Sequence, residues 1–471
     1  MQASIRKVHF IGIGGTGMCG LAEILLTLDY EVSGSDLASG TEAIERLQRL
    51  GARVAAGHAP DHVTGKDLVV VSSAIREENL EYAAARDLGL PILRRGEMLA
   101  EIMRLKYGVA VSGAHGKTTT TSLAGHLLSE AGLDPTVVVG GRLRSLGSNA
   151  RLGGGDVFVA EADESDGSFL NILPTIAVVT NIDREHLDHY GSLAAIRAAF
   201  LRFMRSVPFY GAAILCGDDP EVRALARQLN KPTLVYGTGD DCQLQATAIA
   251  ARESGSRFDV RYEDRELGAF ELPLPGRHNV LNALAALAVG LFLGVPSDRL
   301  RAGLASFGGV GRRFEQRGEA RGVTLVDDYA HHPTEISAVL GAARELYARR
   351  RLVVLFQPHR FSRTLALQAE FAGAFAAADL VCVTDIYPAG EAQPAGVSGE
   401  QLVAPLARES GVEVCYMADE ASVVDELPAR LRAGDVLITV GAGPVWRWGD
   451  AVLARWQAQE GTSSSSERVA R

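Results

Sequence analysis

Short apolar runs that end in glycine or in polar groups recur along the chain, and stretches with helical spacing of apolar residues lie between them. KVHFIGIG, from Lys7, is a β-rich run that meets a glycine turn, and MCGLAEILLTL follows it with helical periodicity. EVSGSD from Glu31 and DLVVVSSAI from Asp67 read as the next strands, so a first α/β domain runs to about residue 106. YGVAVSGAHGKTTTTSLAGHLL then restarts the scheme with strand, glycine loop and helix, and DVFVAEADESD, TIAVVTNID and AAILCGDD add strands whose polar residues gather at their C-terminal ends. After the link FGGVGRRFEQRG, the runs RLVVLFQPHR, DLVCVTDIYP and DVLITVGAGP repeat that rhythm. The pattern predicts an α/β protein of three consecutive α/β domains, 1–106, 107–315 and 316–460. The polar, low-complexity GTSSSSERVAR at 461–471 reads as a disordered tail.

Length agrees with that count, since 471 residues at roughly 150 per domain give three. With 47% hydrophobic and 22% charged residues the chain has an ordinary globular composition, and no uncharged apolar run is long enough to span a bilayer. No signal-cleavage pattern follows the basic start, so the expectation is a cytoplasmic protein without a membrane partner. A net charge of −10 argues against non-specific nucleic-acid binding and requires an anionic substrate to be held by local clusters. Cys19, Cys216, Cys242, Cys382 and Cys415 form no CxxC pair, so they suggest neither a zinc site nor a disulfide framework and read mostly as buried apolar filler. Composition leaves monomer and homodimer equally open.

Candidate chemistry concentrates in two glycine loops. In GAHGKTTTT, Gly116, Lys117 and Thr118 fit the end of a P-loop, although Val111 stands where its first glycine belongs. The loop follows the apolar run VAV and opens a helix whose first N–H groups can hold an anion. Lys117 would neutralise phosphate oxygens, and the Thr118 hydroxyl would ligate magnesium. Glu161, at the end of DVFVAE, is the carboxylate expected to support that cation, whereas Glu164 and Asp166 read as a solvated acidic turn. TNIDREHLDHYG places Asp183 and His186 after another strand, where His186 could reach a second ion.

The other loop, GIGGTG, has Gly12, Gly14 and Gly17 in the G-x-G-x-x-G pattern, with Asp36 near the distance expected of a ribose partner. Read locally it is a nicotinamide-dinucleotide site, which makes an oxidoreductase one alternative. The same geometry serves any pyrophosphate-bearing nucleotide, and a non-enzymatic nucleotide switch is a third reading. DDYAHHPTEI and FQPHRFSRT project polar pairs from the third domain. His331 and His332 are candidate bases or donors there, and Arg360 with Arg363 could fork onto carboxylate or phosphate oxygens.

GIGGTGM, GAHGKTTTT, EADESDGSF, TNIDREHLDHY, GRHNVLNALAA, GVGRRFE, DDYAHHPTEI and FQPHRFSRT, in this order, resemble the Mur ligase family, from about Val8 to Val445. In that family the absent first P-loop glycine is normal. The resemblance implies a Rossmann-like UDP-sugar domain, a central P-loop ATPase-type domain and a Rossmann-like amino-acid domain. It is nearest to the branch that uses ATP and Mg²⁺, with two ions, to join L-alanine to UDP-N-acetylmuramate in peptidoglycan precursor synthesis. The neighbouring branch, which attaches a recycled tripeptide to the same sugar, is the alternative. FQPHRFSRT argues for the alanine branch.

By the same resemblance Gly12, Gly14, Gly15, Thr16 and Gly17 hold the UDP pyrophosphate, Asp36 meets the nucleoside, and Ser72 and Ser73 contact the UDP sugar. Gly113, Ala114, His115, Gly116, Lys117, Thr118 and Thr119 hold ATP, with Asn279, Asn282 and neighbouring His278 on the adenine side and Arg313 reaching the γ-phosphate. Thr118 and Glu161 hold one magnesium and His186 the other. Tyr329 and His331 face the amino acid, His331 is the expected proton acceptor from its ammonium, and Arg360 with Arg363 bind its carboxylate or the developing phosphate. The implied reaction forms an acyl phosphate that the amine then attacks, because a bare carboxylate is a poor electrophile.

Overall fold

The computed structural model describes residues 5–72, 74–104, 106–139, 150–252 and 254–469; the side chains of Thr16, Leu187, Asp188 and residues beyond Gln457 lie outside the description. Three sheets carry the chain. The first has five parallel strands in the spatial order Arg53–Ala56, Glu31–Asp36, Lys7–Ile11, Leu68–Val71 and Ile92–Arg94. Chain order reverses between Lys7–Ile11 and Leu68–Val71, and at such a switch point the strand ends open a crevice for ligands. The glycine loop follows the first of these strands and Ser72 the second.

The second sheet has ten strands, and Tyr107–Ser112 lies between Ile176–Val179 and Val157–Glu161, both later in sequence and parallel to it. This is a second switch point, and the loop 113–116 leaves from it. Beyond Ile176–Val179 the sheet continues through Ala212–Cys216 and Thr233–Gly237 to Leu244–Arg252, Gly255–Tyr262 and Arg265–Leu272. The last three strands were not among the expected elements. Their period-two burial is visible in Arg257, Phe258, Asp259 and Val260, where Phe258 and Val260 are buried and Arg257 is exposed.

The third sheet runs Glu315–Ala320, Val323–Asp328, Val436–Val440, Leu352–Phe356, Leu380–Val383 and Glu413–Tyr416, with only the first pair antiparallel. Strands such as Leu68–Val71 and Leu352–Phe356 are buried along their whole length. A parallel sheet covered by helices on both faces requires this, which is why these strands read as unbroken apolar runs.

The chain forms two compact units. One contains 1–248, 258–271 and 279–310; the other contains 249–257, 272–278 and 311–471. In the first, a continuous core joins Val8 and Phe10 of the first sheet to Phe158 of the second and to Phe169, which packs 5.3 Å from Phe200 and 5.1 Å from Phe203 between ring centroids. In the second, Phe356, Phe371 and Phe375 fill one face of the sheet, and Trp448 and Trp456 of the helix Val445–Val469 cover the other. The backbone of that helix extends through 461–469, the stretch whose composition reads as disordered. Among the described residues no helix is long and apolar enough to cross a membrane.

Candidate active site

The loop after Tyr107–Ser112 turns through Gly113 at φ +140° and Gly116 at φ +81°, values that disfavour a side chain. A Cβ on Gly113 would stand 2.1 Å from the Thr180 hydroxyl, and one on Gly116 2.4 Å from Asn282 Oδ1. The helix Lys117–Glu130 starts there, so its first-turn N–H groups, from Lys117 through Thr119, face the strand ends without intrahelical acceptors. The loop amides of Ala114 and His115 have other partners: Ala114 N donates to the Asn181 carbonyl at 3.2 Å and His115 N to Asn181 Oδ1 at 2.8 Å. Thr180 Oγ1 donates to the His115 carbonyl at 2.6 Å, and His115 Nε2 lies 2.9 Å from Asp183 Oδ2. Both residues of the following strand's end therefore brace the loop.

Lys117 Nζ donates to the carbonyls of Gly113 (2.6 Å) and Ala114 (3.1 Å) and to Glu164 Oε1 (2.8 Å). The Thr118 hydroxyl donates to Glu161 Oε2 at 2.9 Å, as the register of Val111 with Glu161 allows. Glu164 corrects the expectation of a solvated acid, for it is only 3% exposed. Burial raises its carboxyl to about 7 against the pull of Lys117. Burial weighs on the Lys117 ammonium in the opposite sense, but the carboxylates of Glu164, Asp163 and Glu161 outweigh it and hold the lysine charged. Asp166 is exposed, as expected, and caps the Ser168 amide at 2.9 Å.

Glu164 Oε2 is buried without a hydrogen-bond partner among the described residues. Glu164, Glu185 and His186 each bring one ligand atom to within 4.8 Å of the others. An orphaned carboxylate oxygen beside a second carboxylate and an imidazole is a donor set that fits a hard divalent cation. Glu185 was not singled out in the sequence; its place in TNIDREHLDHY beside His186 was the available signal. Asn282 Oδ1 accepts from Thr120 Oγ1 at 3.2 Å, and Asn282 Nδ2 donates to Asn279 Oδ1 at 3.3 Å, which ties both asparagines to the loop's helix.

In the first sheet Gly12 adopts φ +81° and Gly15 caps the helix Thr16–Thr27. Asp36 reaches the loop, accepting from Gly14 N at 2.8 Å and from Ala38 N at 2.9 Å. Part of its work is thus to brace the turn. A Cβ on Gly17 would meet Arg95 at 2.9 Å, and Arg95 pairs with Asp163 at 3.4 Å. Ser72 N donates to the Ile11 carbonyl at 3.2 Å, and Ser72 borders a cavity of about 360 Å³ lined also by Arg76, Tyr82 and Arg94. Ser73 and the side chain of Thr16 lie outside the described residues.

The second unit carries the remaining candidates. Asp327 and Asp328 end their strand, Arg312 Nε donates to Asp327 Oδ2 at 2.9 Å, and Asp328 accepts from Phe314 N and Ala330 N at 2.7 and 2.8 Å. The guanidinium carbons of Arg312 and Arg313 lie 5.0 and 5.2 Å from the Tyr329 ring centroid. Tyr329, His331, His359 and Tyr387 form a continuous series of ring contacts at 5.4, 5.6 and 5.6 Å. His331 Nδ1 lies 3.1 Å from the Tyr329 carbonyl and 3.4 Å from Glu335 Oε2.

The adjacent histidines divide their roles. His332 is buried and caps the helix Pro333–Leu346, accepting from Thr334 N, whereas His331 is half-buried beside Tyr329 and Glu335. His359, which the sequence reading passed over, is held neutral: burial, then the positive neighbours His331 and Arg363, lower it to about 3. Its Nδ1 lies 3.2 Å from Arg363 Nη1. Arg360 sits at φ +68° and pairs through Nε with Glu391 Oε1 at 2.6 Å. His278 is half-buried, and desolvation followed by Arg313 lowers it to about 4, so it is an uncharged group.

Known proteins carry the same plan. Residues 7–107 match the Mur ligase family catalytic domain, 111–290 the Mur ligase middle domain, and 312–443 the Mur ligase glutamate ligase domain. The UDP-N-acetylmuramate–L-alanine ligase of Oleidesulfovibrio alaskensis is 51% identical over 453 residues, covering 96% of this chain and 99% of that one. That of Geobacter sulfurreducens is 48% identical over 456 residues, covering 97% and 98%. The crystal structure of the UDP-N-acetylmuramate–alanine ligase from Thermotoga maritima superposes with a TM-score of 0.80 at 30% identity, covering 96% of this chain and 99% of that one. A murein peptide ligase from Psychrobacter arcticus reaches 0.70 at 25%, covering 95% and 98%. With three matched regions in order and relatives near half identical over almost the full length, this chain belongs to the Mur ligase family.

Proposed function

We propose that the chain is an ATP-dependent carboxylate–amine ligase that joins L-alanine to UDP-N-acetylmuramate, through an acyl phosphate, in peptidoglycan precursor synthesis. The observation that carries the reading is the loop 113–116 at the head of a helix, with Lys117 and Thr118 set against the acids Glu164 and Glu161. Full-length relatives at 48–51% identity bear the alanine-ligase name, so the tripeptide-recycling branch is not favoured. A nicotinamide oxidoreductase would leave this whole constellation without a use.

Lys117 and the helix amides from Gly116 to Thr119 hold the ATP phosphates, while Ala114 and His115, whose amides are engaged by Asn181, shape the turn. Asn279 and Asn282 take the adenine side with His278 nearby in sequence, and Arg313 serves the γ-phosphate. Thr118 and Glu161 hold one Mg²⁺, and His186 with Glu164 and Glu185 holds a second. Bound there, the ions supply positive charge where phosphate and carboxylate oxygens crowd together. Gly12, Gly14, Gly15, Thr16, Gly17, Asp36, Ser72 and Ser73 receive the UDP sugar. On the amino-acid side, Tyr329 and His331 face the amine, His331 takes its proton, and Arg360 with Arg363 meets a carboxylate or phosphate. The boundaries 1–106, 107–315 and 316–460 and a cytoplasmic location belong to this proposal as well, and the reading leaves monomer and homodimer equally open.

Phosphate release with ATP and Mg²⁺ tests it, with UDP-N-acetylmuramate present or absent and single amino acids or the recycled tripeptide added. Release is expected only with the UDP sugar and L-alanine together. Release with the tripeptide alone overturns the alanine assignment, and none under any condition overturns the ligase reading.

A further inference from the structure

The five cysteines are scattered in sequence, yet the third sheet brings two of them side by side. Cys382 lies in Leu380–Val383 and Cys415 in Glu413–Tyr416, and the two are direct partners in the parallel register of those neighbouring strands. Their Sγ atoms are 3.2 Å apart and in hydrogen-bond contact. Neighbouring strands lie about 4.8 Å apart, inside the roughly 4.4–6.8 Å between Cα atoms that a disulfide spans. Only about 1.2 Å of approach therefore separates the thiol contact from the roughly 2.05 Å of a covalent bond.

We propose that Cys382 and Cys415 are a modification site, oxidised reversibly to a cross-strand disulfide by a small-molecule disulfide such as oxidised glutathione. Burial differs between the two sulfurs in the sense the chemistry needs. Glu413–Tyr416 is the edge strand of the sheet, and Cys415 on it is half-buried, whereas Cys382 is fully buried. Cys415 is thus the sulfur an outside reagent meets. It is also the readier proton donor to solvent: the contact with Cys382 pulls its thiol down, while the same contact and then burial push Cys382 up. Arg430, whose Nη1 lies 3.5 Å from Glu413, adds positive charge near both sulfurs.

The Cys415 thiolate attacks one sulfur of the glutathione disulfide, forms a mixed disulfide and expels one glutathione thiolate. Cys382, already in contact, gives up its proton, attacks Cys415 Sγ and expels the second glutathione. In sum two protein thiols become one disulfide, and one oxidised glutathione becomes two reduced molecules. The buried sulfur needs no access of its own, because its partner delivers the reactive bond to it.

The test incubates the whole protein in a graded series of reduced and oxidised glutathione, blocks free thiols, and maps peptides by mass. The wild type is expected to lose two hydrogens, to yield one linked peptide pair containing Cys382 and Cys415, and to revert with dithiothreitol. Cys19, Cys216 and Cys242, all buried, serve as internal controls that stay unlinked. Cys382→Ser removes the resolving sulfur and is expected to trap one glutathione on Cys415. A wild type that stays reduced throughout, stops at a stable mixed disulfide, or links any other pair overturns the proposal.

Discussion

Substituting Glu164 by glutamine separates what burial costs this carboxyl from what function asks of it. Glutamine keeps the shape and an oxygen for the Lys117 ammonium but can never ionise. Glu164 is 3% exposed, and its carboxyl rises from an ordinary 4.5 to about 7. That rise of roughly 2.5, at about 1.36 kcal/mol per pH unit, corresponds to about 3 kcal/mol as an upper bound. The folded chain holds this proton more tightly than the unfolded chain does, so the contribution is complete below pH 4.5 and is lost as pH climbs through 7. Without divalent cations the wild type should therefore lose stability between pH 5 and pH 8 relative to Glu164→Gln, whose curve lacks this term. At about 2–4 °C per kcal/mol for a domain of 150–250 residues, and less for a larger unit, the difference in melting temperature is on the order of 5 °C. Magnesium at pH 8 should return the lost degrees to the wild type and not to the variant, because only an ionised carboxylate rewards a bound cation. Melting curves of the two proteins at four or five pH values, with and without Mg²⁺, make the measurement. Parallel pH profiles, or equal magnesium responses, would refute the argument that this buried acid waits for a cation.

Lys117→Met should lower the phosphate-release rate by about 100- to 1000-fold, the usual cost of one preorganised charge, with the fold kept; full activity would remove Lys117 from the chemistry. His331→Gln should reduce turnover by roughly 100-fold and flatten its acid limb, and near-normal rates across pH would end its role as proton acceptor. Arg360→Lys, which cannot reproduce a planar fork, should raise KM for L-alanine several-fold while KM for ATP holds; a change confined to ATP would reassign the residue to phosphate. Glu81 is fully buried among His9, His58, His62 and Ser35, and after the opposing effect of burial these hydrogen bonds lower its carboxyl to about 2. Its contribution is present above pH 4.5 and lost as pH falls toward 2, so Glu81→Gln should flatten acid unfolding by up to about 3 kcal/mol, and an unchanged acid limb would contradict it.

The three sheets were legible because strands buried on both faces have to be apolar throughout and because ligand loops begin with glycine at the strand ends. Tyr107–Ser112 could be read from both facts, and Leu352–Phe356, which Gln357 follows, from the first alone. Leu244–Arg252, Gly255–Tyr262 and Arg265–Leu272 could not be found by the same rule, since exposed and half-buried positions interrupt each of them and leave no unbroken apolar run. The site shows the same division. Residues that belong to a local pattern, such as Lys117, Thr118 and Glu161, were named from sequence, and the structure brings Thr118 and Glu161 into contact. Residues whose meaning comes from a distant segment were not. Glu164 sits in a run of acids that looks solvated, yet it is buried and meets Lys117, 47 positions away in the chain. Ala114 and His115 match the phosphate loop by position, yet Asn181 takes their amides.

Glu391 carries this point furthest. It lies in a loop with no motif of its own, yet it accepts Arg360 Nε at 2.6 Å and also the Ser362 amide at 3.0 Å, and its carboxyl is lowered to about 2. Burial works against that lowering, and the Ser362 and Arg360 hydrogen bonds overcome it. A ligand carboxylate meeting Arg360 would therefore find the Nε edge of the guanidinium already taken by Glu391. The arginine's orientation is set by a residue 31 positions downstream. A motif can announce an arginine, but the direction of its fork is decided by the partner the fold supplies.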